Sequence, residues 1–196
     1  MKEILEFPKE WLVLQKYQFK LLTAVTVLAD NQKAYRGKLS DLCQYLSIQP
    51  STPNINKLKS TIAFLVENNY VNTIVDKDIY TISLSKAAET NQNIIKIKRA
   101  WCNLIRNTKS EAAWEQVLKV FLVLMELSHN PDQIITCAEI GEMIKCSGST
   151  VGRAVKTLCS IDFKDFRFQK EIITKRVEGD SYITLGTIYS RGIYFK

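Results

Sequence analysis

Ser147-Gly148-Ser149-Thr150-Val151-Gly152-Arg153-Ala154-Val155-Lys156-Thr157-Leu158 is the stretch on which the reading of this chain turns. Val151, Ala154, Val155 and Leu158 stand at i, i+3, i+4 and i+7, the spacing of one buried helix face. Ser149, Thr150, Arg153 and Lys156 fall outside that face, and Ser149 reads as the residue that caps the helix N-terminus. Just upstream, Thr136 to Ile144 carries the apolar spacing of a shorter helix. There Thr136 stands at the N-cap and Glu139 three residues on, the pairing of a capping box. Two short amphipathic helices split by a tight polar turn make a helix-turn-helix pattern, whose second helix turns its polar face outward.

A weaker copy lies upstream. Glu139, Ile140, Gly141 and Ile144 overlie Asp41, Leu42, Cys43 and Leu46 at an offset of 98 residues, and Val151 falls on Ile55 if the first copy has a turn two residues longer. In that copy Ile48 to Thr52 reads as the turn, with Thr52 at the N-cap and Pro53 at the first helical position. Ile55, Leu58, Ile62, Leu65 and Val66 are spaced for burial, leaving Asn54, Asn56, Lys57, Lys59 and Ser60 outward. An earlier helix carries Phe19, Leu22, Val25 and Leu28, and Ala34 to Arg36 reads as a short strand. Asn69 closes the third helix, and Tyr70–Ile74 and Ile79–Leu84 form a hairpin with the net negative tip Asp76-Lys77-Asp78.

The second half repeats the plan. Trp114, Val117, Leu118, Phe121, Leu122 and Met125 give a helix, His129 to Asp132 a turn and Gln133 to Ile135 a short strand. Strands are expected over Phe163–Arg167, Lys170–Val177 and Tyr182–Ile188, with Glu178 to Ser181 as the hairpin turn and Lys175 and Arg176 beside its tip. The chain therefore divides into an N-terminal domain over 1–85, a connector over 86–110 and a C-terminal domain over 111–196. In the connector Ile94, Ile97, Trp101, Leu104 and Ile105 recur at helical spacing, which predicts a basic helix.

Charge is unevenly placed. The 196 residues carry a net charge of +7, with 10 basic and 8 acidic side chains over 1–85, 6 and 1 over 86–110, and 11 and 11 over 111–196. The connector thus holds most of the excess, and Lys96, Lys98 and Arg99 are candidates to track a phosphate backbone. Exposed basic residues are common on any helix, so position weighs more than sign. Arg153 and Lys156 follow a hydroxyl-rich helix start able to meet phosphate.

Other classes find little support. Val120 to Met125 is too short to span a bilayer, and Met1-Lys2-Glu3-Ile4 does not open as a signal peptide, which places the chain in the cytoplasm without a membrane partner. Five cysteines are never spaced C-x-x-C, and the lone His129 has no second ligand near it, so no metal or other cofactor is expected. Gly37-Lys38-Leu39-Ser40 lacks the upstream glycine of a phosphate loop, and Tyr182, Tyr189 and Tyr194 come without metal-ligand spacing. No catalytic residue is named, and the chain reads as a non-enzyme.

Over nearly its whole length the sequence resembles the winged helix-turn-helix superfamily. Ser149 to Leu158 looks like the recognition helix of bacterial winged-helix regulators, and Phe7 through Val71 looks like the N-terminal domain of phage and plasmid replication initiators. Two departures stand out: Asn69 and Asp162 replace the glycine usual after the third helix, and the first copy has no arginine at its outward face. The resemblance implies a mainly α fold with small β-hairpin wings (α+β), as two winged helix-turn-helix domains joined by a basic helical connector.

It further implies a sequence-specific binder of double-stranded DNA, acting as monomer or homodimer in replication initiation or transcriptional regulation of a phage- or plasmid-like element. The expected contacts are Asn54, Asn56, Lys57 and Lys59 in the first domain, Lys96, Lys98 and Arg99 in the connector, and Ser149, Thr150, Arg153, Lys156, Lys175 and Arg176 in the second. The rival expectation is a winged-helix protein-interaction module, such as a phage-encoded inhibitor or adaptor, whose partner is a protein.

Overall fold

The first strand owes its existence to a segment almost ninety residues away. β1 (Ile4–Pro8) pairs antiparallel with β5 (Ile94–Lys98), with Leu5 opposite Ile97, Phe7 opposite Ile95 and Glu6 opposite Lys96. Leu5, Phe7, Ile95 and Ile97 are buried, while on the other face the Lys96 ammonium lies 3.4 Å from the Glu6 carboxylate. The computed structural model in which this is seen describes residues 3–30, 33–85, 93–127, 134–164, 166–176 and 182–193, with side chains described as far as Lys170.

Two compact units divide the chain, Met1–Arg99 and Ala100–Lys196. In the first, α1 (Lys16–Leu28) is the core helix, burying Phe19, Leu21, Leu22, Ala24, Val25 and Val27. It packs on α3 (Thr52–Glu67) and on a three-stranded antiparallel sheet of order β2-β4-β3, built from β2 (Ala34–Gly37), β3 (Val71–Asp76) and β4 (Ile79–Leu84). Between them α2 (Leu39–Tyr45) buries Leu39, Leu42 and Cys43.

In the second unit the core helix is α5 (Trp114–Leu127), buried on nearly every side and packed on α6 (Cys137–Ile144) and α7 (Gly148–Ser160). A preceding helix, α4 (Arg99–Asn107), supplies Trp101, which meets Phe121, Phe163 and Phe166 edge-on with ring centroids 5.0–6.3 Å apart. Edge-to-face pairs of this kind favour a fixed packing as well as burying area. β6 (Phe166–Arg176) and β7 (Tyr182–Ile193) form one long antiparallel hairpin, with a register shift between Ile173 and Thr174.

The chain is therefore α+β, and the expected architecture of two winged helix-turn-helix domains joined by a basic helical connector is corrected. Among the described residues there are three separate antiparallel sheets. Part of the supposed connector is the strand β5 of the first unit, so Lys96 and Lys98 sit on a sheet and only Arg99 begins a helix. The physical reason is an overlap of periods: Ile95 and Ile97 alternate with Lys96 and Lys98, and that alternation finds its partner in Leu5 and Phe7. The second hairpin is not a small wing either, since its strands run 11 and 12 residues where three shorter strands were expected. Phe163 lies outside it, in the aromatic core.

Smaller differences follow local chemistry. The left-handed residue after α3 is Asn69, as anticipated, but in the second unit it is Lys164 and not Asp162, whose Oδ1 instead accepts from the Lys164 amide at 2.9 Å. Val66, placed on the buried face of α3, is 37 % exposed. The expected connector residues 86–92, the turn His129 to Asp132, Gln133 and the hairpin turn Glu178 to Ser181 lie outside the described residues. No helix among the described residues is long and apolar enough to cross a membrane.

Candidate nucleic-acid interface

The α6–α7 pair is held by its caps before it is held by its core. Thr136 Oγ1 accepts from the Glu139 amide at 3.1 Å, and the Glu139 carboxylate accepts from the Thr136 amide at 2.6 Å and from its hydroxyl at 2.8 Å. Those bonds to the charged form hold the Glu139 carboxyl below its ordinary value. α6 then stops at Lys145, in the left-handed conformation at φ 54°, with the Cys146 amide donating to the Gly141 carbonyl at 2.8 Å. A Cβ on Gly141 would come within 2.5 Å of the Cys146 carbonyl oxygen, so the turn closes only because no side chain is there.

The same closure recurs 98 residues earlier. Ser47 takes φ 57°, its amide donates to Gln44, and the Ile48 amide donates to the Cys43 carbonyl at 3.0 Å. Backbone geometry thus repeats the correspondence that the apolar positions suggested.

α7 starts two residues earlier than Ser149 would place it. Ser147 is the N-cap, its Oγ accepting from the Thr150 amide at 3.3 Å and lying 2.9 Å from Thr150 Oγ1. Thr150 is therefore buried in the cap, 8 % exposed, while Ser149 is exposed with its Oγ 3.0 Å from Ser147 Oγ. Val151, Ala154, Val155 and Leu158 are all buried. Arg153 and Lys156 are exposed, and the Arg153 guanidinium donates to Thr150 Oγ1 at 3.4 Å, which leans it toward the helix N-terminus. Ser149, Arg153 and Lys156 lie at i, i+4 and i+7, so one stripe of α7 presents a hydroxyl and two cations to solvent.

The first unit arranges its candidates differently. Asn54 is half-buried and its Nδ2 donates to the Gln49 carbonyl at 2.9 Å, closing the turn before α3, where Ser51 and not Thr52 occupies the N-cap. Lys57 Nζ sits 3.8 Å from the centre of the Tyr17 ring, a cation–π contact. Asn56 and Lys59 are exposed. Lys96, Lys98 and Arg99 belong to the β1–β5 edge of that unit, with Lys96 on Glu6 and the Arg99 amide donating to the Glu3 carbonyl at 2.8 Å. Lys175 and Arg176 end β6, but their side chains lie outside the described residues.

Behind the α6–α7 turn lies a pair that sequence reading missed. Glu115 and Lys119, one turn apart on α5, are 1 % and 6 % exposed on a helix whose other buried residues are apolar. Burial lowers the Lys119 ammonium to about 8, against the opposing pull of Cys146 and Glu115. Their i, i+4 spacing was visible, yet it is also the commonest pairing on a solvated helix face.

Among the described residues no cluster of His, Cys, Asp and Glu could hold a metal ion. Comparison with protein-family models, with curated proteins and with solved structures finds no match.

Proposed function

We propose that the chain is a non-enzymatic, sequence-specific double-stranded DNA-binding protein that reads duplex DNA through the outward stripe of α7. The observation that carries this is the geometry of Ser149, Arg153 and Lys156. They stand in successive turns of one helix whose opposite face is fully buried against its own unit, so the stripe is rigidly presented and engaged by little inside the chain. An arginine in such a stripe suits bidentate recognition of guanine, a lysine suits phosphate, and a hydroxyl suits either. A role in transcriptional or replication control, in the cytoplasm, belongs to the same proposal.

Selection of duplexes from a random pool, followed by fluorescence anisotropy at low and physiological salt, tests it. Enrichment of a common sequence, with binding retained at physiological salt and lost in Arg153→Ala, supports the reading. Equal loss on selected and random duplexes in Arg153→Ala would remove the base-reading role.

A second reading has its own observation, in the first unit. Ile74 and Val75 on the edge strand β3 are 71 % and 50 % exposed, and Phe64 and Val66 of α3 are also exposed. Between α3 and β3–β4 lies a groove of about 440 Å³ lined by Ile62, Ala63, Val66, Thr73 and Tyr80 together with the charged Lys59 and Glu67. A groove of mixed apolar and charged lining, next to a strand edge with exposed isoleucine and valine, suits a protein partner better than DNA. Ile74→Lys with Val75→Glu should abolish such a partnership while leaving duplex binding intact.

A further inference from the structure

Gly152 lies half-buried on the flank of the outward stripe of α7, three residues after Ser149 and four before Lys156. Glycine is the least favourable residue for a helix interior apart from proline, so its presence in the second turn calls for a reason. The usual reasons are absent. Among the described residues a Cβ built there meets nothing within 4 Å, so none of their elements needs the space, and Gly152 has ordinary helical backbone within a regular helix. The contrast is with Gly141 and Gly148, where a Cβ would press on backbone atoms of the chain itself at 2.5 and 3.3 Å.

We infer that Gly152 is a positioning residue for the duplex: its missing side chain lets the α7 backbone seat against the wall of the DNA groove. This rests on the DNA reading proposed above and adds the depth of docking to it. The gap is bounded by the groups that would flank it in a complex. Ser149 lies one turn before and Lys156 one turn after, both placed for phosphate, while Arg153 adjoins the gap and reaches base edges only if the helix axis comes close enough. A side chain at 152 would hold the helix away and lengthen every one of those contacts together. In the first unit the aligned position is Asn56, exposed on α3, so the notch belongs to the second unit.

The test compares Gly152→Ala, Gly152→Leu and Arg153→Ala in the full chain, reading both thermal midpoint and anisotropy on a fluorescein-labelled duplex recovered from the random pool. Gly152→Ala should raise the midpoint by roughly 4 °C because alanine favours the helix. The same variant should weaken duplex binding about 10-fold and Gly152→Leu about 100-fold, the cost of displacing a docked surface. A gain in stability with a loss of affinity is the signature that a purely structural glycine does not give. Unchanged affinity in Gly152→Ala, while Arg153→Ala loses binding, overturns the role of Gly152 and leaves the DNA reading standing. Failure of the unaltered chain to bind any duplex overturns both.

Discussion

The α2–α3 and α6–α7 pairs close their turns with the same backbone bonds, yet they present different side chains to solvent. In the first, Asn54 is tied to the turn, Lys57 lies on Tyr17, and the exposed apolar residues are Phe64 and Val66. In the second, Ser149, Arg153 and Lys156 point outward from α7, whose ladder Val151, Ala154, Val155 and Leu158 is buried, and the exposed apolar residue is Met143 of α6. A shared local geometry therefore does not imply a shared task. Asn54 and Lys57 are engaged within the first unit, and for that reason the proposed duplex contact is assigned to the second.

The largest expected effect concerns the turns themselves. Gly141→Ala forces a Cβ to 2.5 Å from a backbone oxygen that cannot move alone, and should cost the second unit about 3 kcal/mol in denaturant unfolding. Gly37→Ala meets the Tyr35 hydroxyl at the same 2.5 Å, but that group is the end of a side chain. Its swing would give up the 2.7 Å bond to the Lys38 carbonyl and shift a buried ring, a loss of about 2 kcal/mol. Equal losses from the two would mean that a backbone neighbour and a side-chain neighbour yield alike.

Next come the outward stripes. Arg153→Ala should weaken binding to a selected duplex by roughly 10- to 100-fold, and Lys57→Ala by less than about 3-fold, read by anisotropy at fixed salt. A larger effect at Lys57 would reverse the assignment of the two units.

The caps should then separate by a smaller margin. Thr136→Ala removes a side-chain cap and should cost about 1 kcal/mol. At the matching position Lys38 gives no side-chain cap and forms an exposed ion pair with Asp78 at 2.7 Å, so Lys38→Ala should leave the thermal midpoint within error.

A pH effect is confined to the second unit. The folded chain releases the Lys119 proton near pH 8, whereas the unfolded chain holds it to about 10.5. Unfolding therefore takes up a proton in that window, and this group's contribution to stability rises as pH increases from about 8 to 10.5. Lys119→Met should flatten that part of the stability profile, as measured by thermal melts at stepped pH.

How much of this was legible depends on whether a local signal met a competing one. The capping box at Thr136 and Glu139 and the ladder Val151, Ala154, Val155, Leu158 were read correctly because nothing else explains those residues at that spacing. β5 was missed because its isoleucines satisfy both a helical and an alternating period, and only pairing with Leu5 and Phe7 decides between them. Ser147 and Ser149 are equally good caps by type, and the choice fell to Ser147 because Thr150 can be buried against it. The engagement of Asn54 and Lys57 depends on Gln49 and Tyr17, contacts that spacing within α3 does not contain.

The most direct test is a ¹H–¹⁵N correlation spectrum of the full chain titrated with the selected duplex. The amides shifted most should run from Ser149 to Lys156, with Gly152 among them, while those of Asn54 to Lys59 stay in place. Shifts centred on Asn54 to Lys59, with α7 unmoved, would contradict the proposed contact by α7.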